Sequence, residues 1–265
     1  MVGKISNKAK ISILGCGWLG IPLGKKLAKN GFNVKGSTTS TSKIAVLEDA
    51  HISPFLIGSD LDKSVLRDFL KAEILIVSTP PMELSFWHSM LPEIEKSTVS
   101  KVIFFSSTSV YEKSASEITE LSQTKDNKLS AAEEYFINNP HFETTIIRFG
   151  GLIGPDRNPA FFFKNGKKIK NPKGPVNLIH QQDCIGIVLE IIKKESWGEI
   201  YNACSNSHPT KMEFYSKCAL DFNQSVPLVD NESQTEIKIV SPAKIITKLG
   251  YNFVFNDLMN IATEN

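Results

Sequence analysis

The sequence predicts an α/β protein built on a doubly wound, parallel β-sheet. Three observations carry that prediction. Short apolar runs such as Ile74–Val77 recur through the first 150 residues. Stretches of helical period separate those runs, and a glycine-rich turn closes the first of them. Apolar strands alternating with helical patterns of about 10–15 residues belong to a parallel sheet buried on both faces. Right-handed crossovers then place helices on either side of it.

Residues 11–14 read as the first strand, and 18–29 as a helix with Leu19, Leu23 and Leu27 along one face. Residues 32–35 form the second strand, and 43–49 a helix after a Ser/Thr-rich cap. A short strand at 54–57 and a helix at 63–70 precede the wholly apolar strand 74–77. The helix 84–95 leads to the strand 102–105, and the helix 129–137 to the strand 145–147.

After Gly150 the texture changes. Residues 150–177 are rich in Gly, Pro and Asn, and 157–173 hold Arg157, Lys164, Lys167, Lys168, Lys170 and Lys173 with no acid. A helix at 183–193, a strand-like 199–204, a helix at 211–222, a β-like 236–240 and a short helix at 243–249 follow. The expected division is a core at 1–150 and a smaller lobe at 151–265, with the strand near 199–204 returning to the main sheet.

Composition excludes several classes. Thirty Lys and Arg against 28 Asp and Glu give a net charge of +2, too even for a dedicated nucleic-acid binder. The four cysteines (16, 184, 204 and 218) form no C-x-x-C pair and have no His at ligand spacing, so neither a disulfide framework nor a metal site is expected. Lys4, Lys8 and Lys10 before residues 11–16 imitate a leader, but the apolar run is shorter than the about 7–15 residues a leader needs. The reading is a cytoplasmic protein, with no membrane partner and no nucleic acid.

Gly15-Cys16-Gly17-Trp18-Leu19-Gly20 is a G-x-G-x-x-G that closes a predicted strand and opens a predicted helix. Gly15 permits the tight turn, Gly17 lets a pyrophosphate approach, and Gly20 lets helix and strand pack. The helix start, through Trp18 and Leu19, offers N–H groups and partial positive charge. The fold class is therefore a Rossmann sheet, with 1–150 as its dinucleotide-binding core. An acid about 20 residues further on would bind the ribose of NAD. Ser37, Thr38, Thr39 and Lys43 stand there instead, and the next acid is Glu48. Hydroxyls and a lysine suit the 2′-phosphate of NADP, with NAD as the alternative. Ser78, Thr79 and Pro80 follow the strand 74–77 and should face the same ligand.

Further motifs complete a resemblance. Phe104 to Tyr111 read FFSSTSVY, Arg148 to Pro155 read RFGGLIGP, and Val176-Asn177-Leu178-Ile179-His180 precedes Asp183. With Gly198 to Asn202, GEIYN, these resemble the extended short-chain dehydrogenase/reductase superfamily, the NAD-dependent epimerase/dehydratase group, in order along nearly the whole chain. The resemblance implies that Ser106 and Arg148 lie at the cofactor and that Ser107 bonds the reacting oxygen. It also implies that Gly150, Asn177 and His180 line the substrate cleft. The group's proton donor is the Tyr of Tyr-x-x-x-Lys, and this chain departs from it. The residues four places after its five tyrosines are Ala115, Asn139, Ser205, Ala219 and Phe255. Aligned through Ala132-Glu133, the two slots fall on Lys125 and Leu129. Tyr111 is the substitute donor, with His180 next. The implied function is an NADP-dependent oxidoreductase or epimerase/dehydratase on a small polar, sugar-like substrate. The alternative is a non-catalytic NADP-binding regulatory or redox-sensing module. The basic run 157–173 would suit an anionic substrate, and the chain is expected as a monomer or homodimer.

Overall fold

The computed structural model describes residues 9–58, 62–112, 114, 116–164, 166–233 and 236–261. Lys4 and Lys8 of the leader-like segment, and Ala115, lie outside them. The strands of the main sheet are β1 Lys10–Leu14, β2 Asn33–Thr38, β3 Ser53–Leu56, β4 Ile74–Val77, β5 Lys101–Ser107, β6 Glu143–Phe149 and β9 Ile200–Ala203. The remaining two, β7 Gly151–Ile153 and β8 Leu178–His180, pair in parallel as a separate two-stranded sheet. The main sheet runs β3-β2-β1-β4-β5-β6-β9. β1 pairs in parallel with β2 on one side and β4 on the other. The winding therefore reverses beside β1, and the ligand crevice of such sheets opens beyond the carboxyl ends of the strands there. No helix among the described residues is long and apolar enough to cross a membrane.

By contacts the chain forms two compact units: residues up to 106 with 125–147 and 187–200, and 107–124 with 148–186 and 201 onward. The units thus do not divide at residue 150. Segment 107–124 joins the later residues, and most of helix α6, Gln181–Lys194, joins the earlier ones.

In the first unit α1 Gly20–Lys29, α2 Ile44–Asp49, α3 Lys63–Phe69, α4 Leu84–Glu95 and α5 Lys128–Ile137 alternate with the strands. β4 and α4 have the bounds read from sequence. α1 starts two residues later than expected, because residues 15–19 are taken up by the turn. β2 runs on to Thr38, three residues past the expected end, where Ser37 and Thr38 pair with Phe55 and Leu56 of β3. Pairing overrides the low strand preference of this glycine- and hydroxyl-rich stretch. The core centres on Trp87 of α4, whose ring lies 5.9 Å from Phe104 of β5 and 5.1 Å from Phe136 of α5.

In the second unit β7, β8 and α7, Lys211–Asp221, surround Ile153, Val176, Leu178, Phe214 and Leu258. β7 and β8 escaped the sequence reading, being three residues each in Gly- and Pro-rich surroundings. The aromatic run fastens its loop to α7 and the residue after it: Phe163 packs on Tyr215 at 4.8 Å and Phe161 on Phe222 at 5.7 Å. Segment 236–240 makes one bridge, Val240 to Ile118, and is not a ladder strand. Residues Ile245–Leu249 form a wide π turn that ends at Gly250, where φ is +61° and glycine carries no strain.

Asp183 fixes the last part of this unit. Fully buried, its Oδ1 accepts from the Tyr251 hydroxyl at 2.9 Å and Val254 N at 2.7 Å, and its Oδ2 from Phe255 N at 3.0 Å. Hydrogen bonds to a charged group contribute about 1.5–3 kcal/mol each, and a buried donor left unpaired costs about 1–3 kcal/mol. Asp183→Ala should therefore lower the unfolding free energy in urea by at least about 3 kcal/mol. A loss below about 1 kcal/mol would show that the carboxylate is not the fastening point.

Candidate functional site

The glycine turn is held from both sides within the first unit. Ser37 Oγ accepts from Gly15 N at 2.8 Å, and the Ser37 carbonyl accepts from Cys16 N at 2.8 Å. Gly15 has φ +95°, and a Cβ there would lie 2.8 Å from the Ser78 carbonyl oxygen. A Cβ on Gly20 would meet the Gly15 carbonyl at 2.6 Å. These two glycines are required by the fold itself. Gly17 differs: a Cβ there would meet nothing within 4 Å, and its backbone needs no positive φ. In front of it α1 begins with no acid in its first turn and no side chain capping it. Gly15, Gly17, Trp18, Leu19, Gly20, Ser78 and Thr79 are thus gathered around one cradle at the winding reversal, with Pro80 exposed just beyond.

The hydroxyl segment after Lys35 divides into two groups. Ser37 and Thr38 are buried, Ser37 bonding the turn and Thr38 Oγ1 accepting from Ser40 N at 3.1 Å. They shape the strand end, which corrects the expectation that both face a phosphate. Thr39 and Lys43 are exposed. Ser106, at the end of β5, is 6% exposed, and its Oγ has no hydrogen-bond partner. An orphaned buried hydroxyl is uncommon and marks a place where a ligand atom can complete the bonding.

The second unit treats its expected site residues differently. Ser107 Oγ accepts from Ser109 N at 3.1 Å. Tyr111 is fully buried; its hydroxyl donates to Asn202 Oδ1 at 2.6 Å and accepts from Arg148 Nη1 at 2.9 Å. Burial pushes this phenol above its ordinary range, and the Arg148 guanidinium, 4.8 Å from the ring, offsets that only in part. A phenol so enclosed is not a solvent-facing proton donor, and Arg148 is likewise committed to the network. Asn202 N donates to Glu120 Oε1 at 2.8 Å, joining a carboxylate to the cluster.

Asn177 is also structural. Its Nδ2 donates to the Lys238 carbonyl at 2.7 Å and its Oδ1 accepts from Val240 N at 2.8 Å, so both ends of the amide are used. Gly150 admits this segment: a Cβ there would lie 2.6 Å from the Asn177 carbonyl. His180 is 7% exposed, stacked 3.7 Å from Phe255, with Nδ1 accepting from Gln182 N at 3.2 Å. These contacts commit both ends of the Asn177 amide to the fold, against the expectation for it, and in His180 they occupy Nδ1. Lys238 was missed by the sequence reading; its Nζ donates to the Thr108 carbonyl at 2.7 Å. Only the β-like character of 236–240 pointed toward it. All four thiols are buried, and burial pushes Cys16 and Cys204 up to about 12 and Cys218 up to about 11.

Known proteins share this architecture. No family model matches the chain. Protein YeeZ of Escherichia coli strain K12 is 28% identical over 266 residues, covering 94% of this chain and 97% of its own. A conserved protein of unknown function from Silicibacter pomeroyi superposes with a TM-score of 0.80 at 18% identity, over 95% of this chain and 96% of that one. A UDP-glucose-4-epimerase from Stenotrophomonas maltophila, solved with NAD and a formylated UDP-arabinopyranose, gives 0.79 at 11% identity over 95% of both. The fold is therefore shared with that epimerase over 95% of this chain.

The Tyr111 cluster makes a direct prediction. Tyr111→Phe would leave Arg148 Nη1 and Asn202 Oδ1 each short of a bond, at about 1–3 kcal/mol for a buried group. Thermal unfolding should show a lower midpoint, with the cradle around Gly17 unaffected. An unchanged midpoint would indicate that the phenol is not a structural tie.

Proposed function

We propose that this chain is an NADP-dependent oxidoreductase or epimerase/dehydratase acting on a small polar, sugar-like substrate. The observation that carries the reading is Gly17. Glycine costs about 0.5–1 kcal/mol of conformational freedom against alanine, and nothing in the fold asks for it at this position. A pyrophosphate lying on the backbone of residues 17–20, at the positive end of α1, does ask for it. The unpartnered Ser106 hydroxyl gives a second polar group to such a ligand. A bound nicotinamide would supply hydride transfer, the chemistry of the resembling group.

Thr39 and Lys43 support NADP over NAD, being exposed donors just beyond β2 with no carboxylate before Glu48. The lysines of 157–173 support an anionic substrate. The missing Tyr-x-x-x-Lys, with Tyr111 sealed in, favours a second reading: an NADP-binding module without turnover. A thiol-based redox sensor is the weaker form of it, because reactive cysteines need accessible thiolates and these four are buried.

Two variants test the cofactor reading by fluorescence titration. Gly17→Val should abolish NADPH binding while the protein still unfolds cooperatively, since its side chain enters open space. NADPH should bind the parent at least about tenfold more tightly than NADH, the value of one net charge-assisted bond. Thr39→Asp should erase that preference by repelling the 2′-phosphate. Equal affinities in the parent would end the NADP assignment, and normal binding by the Gly17 variant would make the turn purely structural.

A further inference from the structure

The second unit carries a charged surface that its own core does not use. Residues 157–173 hold six cations and no acid, although the whole protein is only +2. Lys164, Lys167, Lys168, Lys170 and Lys173 are all exposed. Among the described residues none of these five forms an ion pair, whereas Lys63, Lys71, Lys101, Lys128 and Lys217 each meet a carboxylate. One small anion can meet one or two of the five ammonium groups. The rest answer to something larger.

The run is held in place. Ile169 is fully buried; its N donates to the Leu228 carbonyl at 2.7 Å, and its carbonyl accepts from Asp230 N at 2.9 Å. Asn171 N donates to Ser233 Oγ at 2.7 Å, and the Pro172 carbonyl accepts from Met212 N at 3.0 Å. Successive side chains of an extended segment point to opposite sides. With Ile169 inward, Lys168 and Lys170 face out, and Leu228 faces out beside them across the bridge between Ile169 and Val229. Asp230 is the acid on that side, its Oδ1 accepting from Glu232 N at 3.2 Å.

Apolar side chains stand among these cations. Leu228 is 62% exposed and Leu220 61%, and Val226, Phe161 and Phe162 are exposed as well. Phe161 lies 5.7 Å from Phe222, and Lys164 Nζ 4.1 Å from the Phe161 ring, which ties the loop to the end of α7. Exposed apolar groups within a charged rim mark a contact surface. Five lysines and one arginine offer mobile point charges more than planar forks, which suits a diffuse negative surface over a single bidentate anion. A second copy meeting this face across a twofold axis would set lysine against lysine. Leu220, Val226 and Leu228 cannot stack on bases as aromatic rings do, but they can enter the acyl boundary of a bilayer.

We propose that this face of the second unit, centred on Lys168, Lys170 and Leu228, rests on an anionic phospholipid surface. The expectation of no membrane partner came from the lack of a leader or spanning segment, and a protein lying on a lipid surface needs neither. The lysines supply attraction to the headgroups, and the apolar tips supply burial beneath them.

The test sediments the full chain at low salt with vesicles of phosphatidylcholine, or of phosphatidylcholine and phosphatidylglycerol in equal parts. The protein should sediment with the anionic vesicles and stay in solution with the neutral ones. A lysine at such a surface contributes about fivefold in partitioning, so the double variant Lys168→Gln, Lys170→Gln should bind at least about tenfold more weakly. Leu228→Ser should weaken binding at least about threefold while leaving its salt dependence unchanged. All three side chains are exposed, so both variants should keep the parent's unfolding midpoint. No sedimentation with the anionic vesicles overturns the proposal, as does binding that survives both variants. Binding lost in the lysine variant but kept in full by Leu228→Ser, or tighter binding to a single-stranded oligonucleotide than to vesicles, shows a general polyanion site and also overturns the lipid assignment.

Discussion

The turn at residues 15–20 is the constraint on which the first unit is organised. Gly15 sits against the Ser78 carbonyl with no room for a side chain, and Gly20 sits against Gly15 in the same way. Ser37 holds the turn through both its hydroxyl and its carbonyl. Three segments remote in sequence therefore have to arrive together: the ends of β1, β2 and β4. Their parallel pairing brings those ends to one side of the sheet, which is what a parallel ladder does and an antiparallel one does not. The open space in front of Gly17 is then a product of the topology rather than of loop flexibility.

In the second unit, side chains do work that backbone does elsewhere. Asn177 offers one acceptor and one donor to residues 238–240, imitating the edge of a strand. Asp183 gathers two backbone N–H groups and a phenol. Such ties hold long, irregular segments that bury too little apolar surface to fix themselves. They also explain why residues read as substrate contacts turn out to be occupied. A polar side chain in a motif is as well suited to fastening a loop as to meeting a ligand.

The alternation of strands and helices was legible because β1, β4, β5 and β6 are buried and apolar enough to show as runs. The glycine turn was legible because its neighbours supplied the context. Three kinds of feature were not. β2 continues through Ser37 and Thr38, where pairing with β3 outweighs composition. β7 and β8 are too short for a period to register. The position of Lys238 depends on pairings with Ile118 and Asn177, over separations that no local pattern encodes. For the same reason Tyr111 looked like a donor in sequence, while its burial by Arg148 and Asn202 is a long-range fact.

The departure from Tyr-x-x-x-Lys goes deeper than two substitutions. That motif needs a tyrosine and a lysine one helical turn apart on the same helix. Here α5 begins only at Lys128, with Asn127 as its cap: Asn127 Oδ1 accepts from Leu129 N and Ser130 N, and Ser130 Oγ accepts from Asn127 N. Ser130 Oγ also donates to the Lys125 carbonyl at 2.6 Å, so residue 125 belongs to the capping structure ahead of the helix. Leu129, in the lysine slot, packs on the core around Trp87 and Phe136. Restoring the two side chains would therefore place a tyrosine off the helix and an ammonium against apolar surface. The start of α5 is organised around its cap, so positions 125 and 129 do not offer the paired geometry that the motif needs.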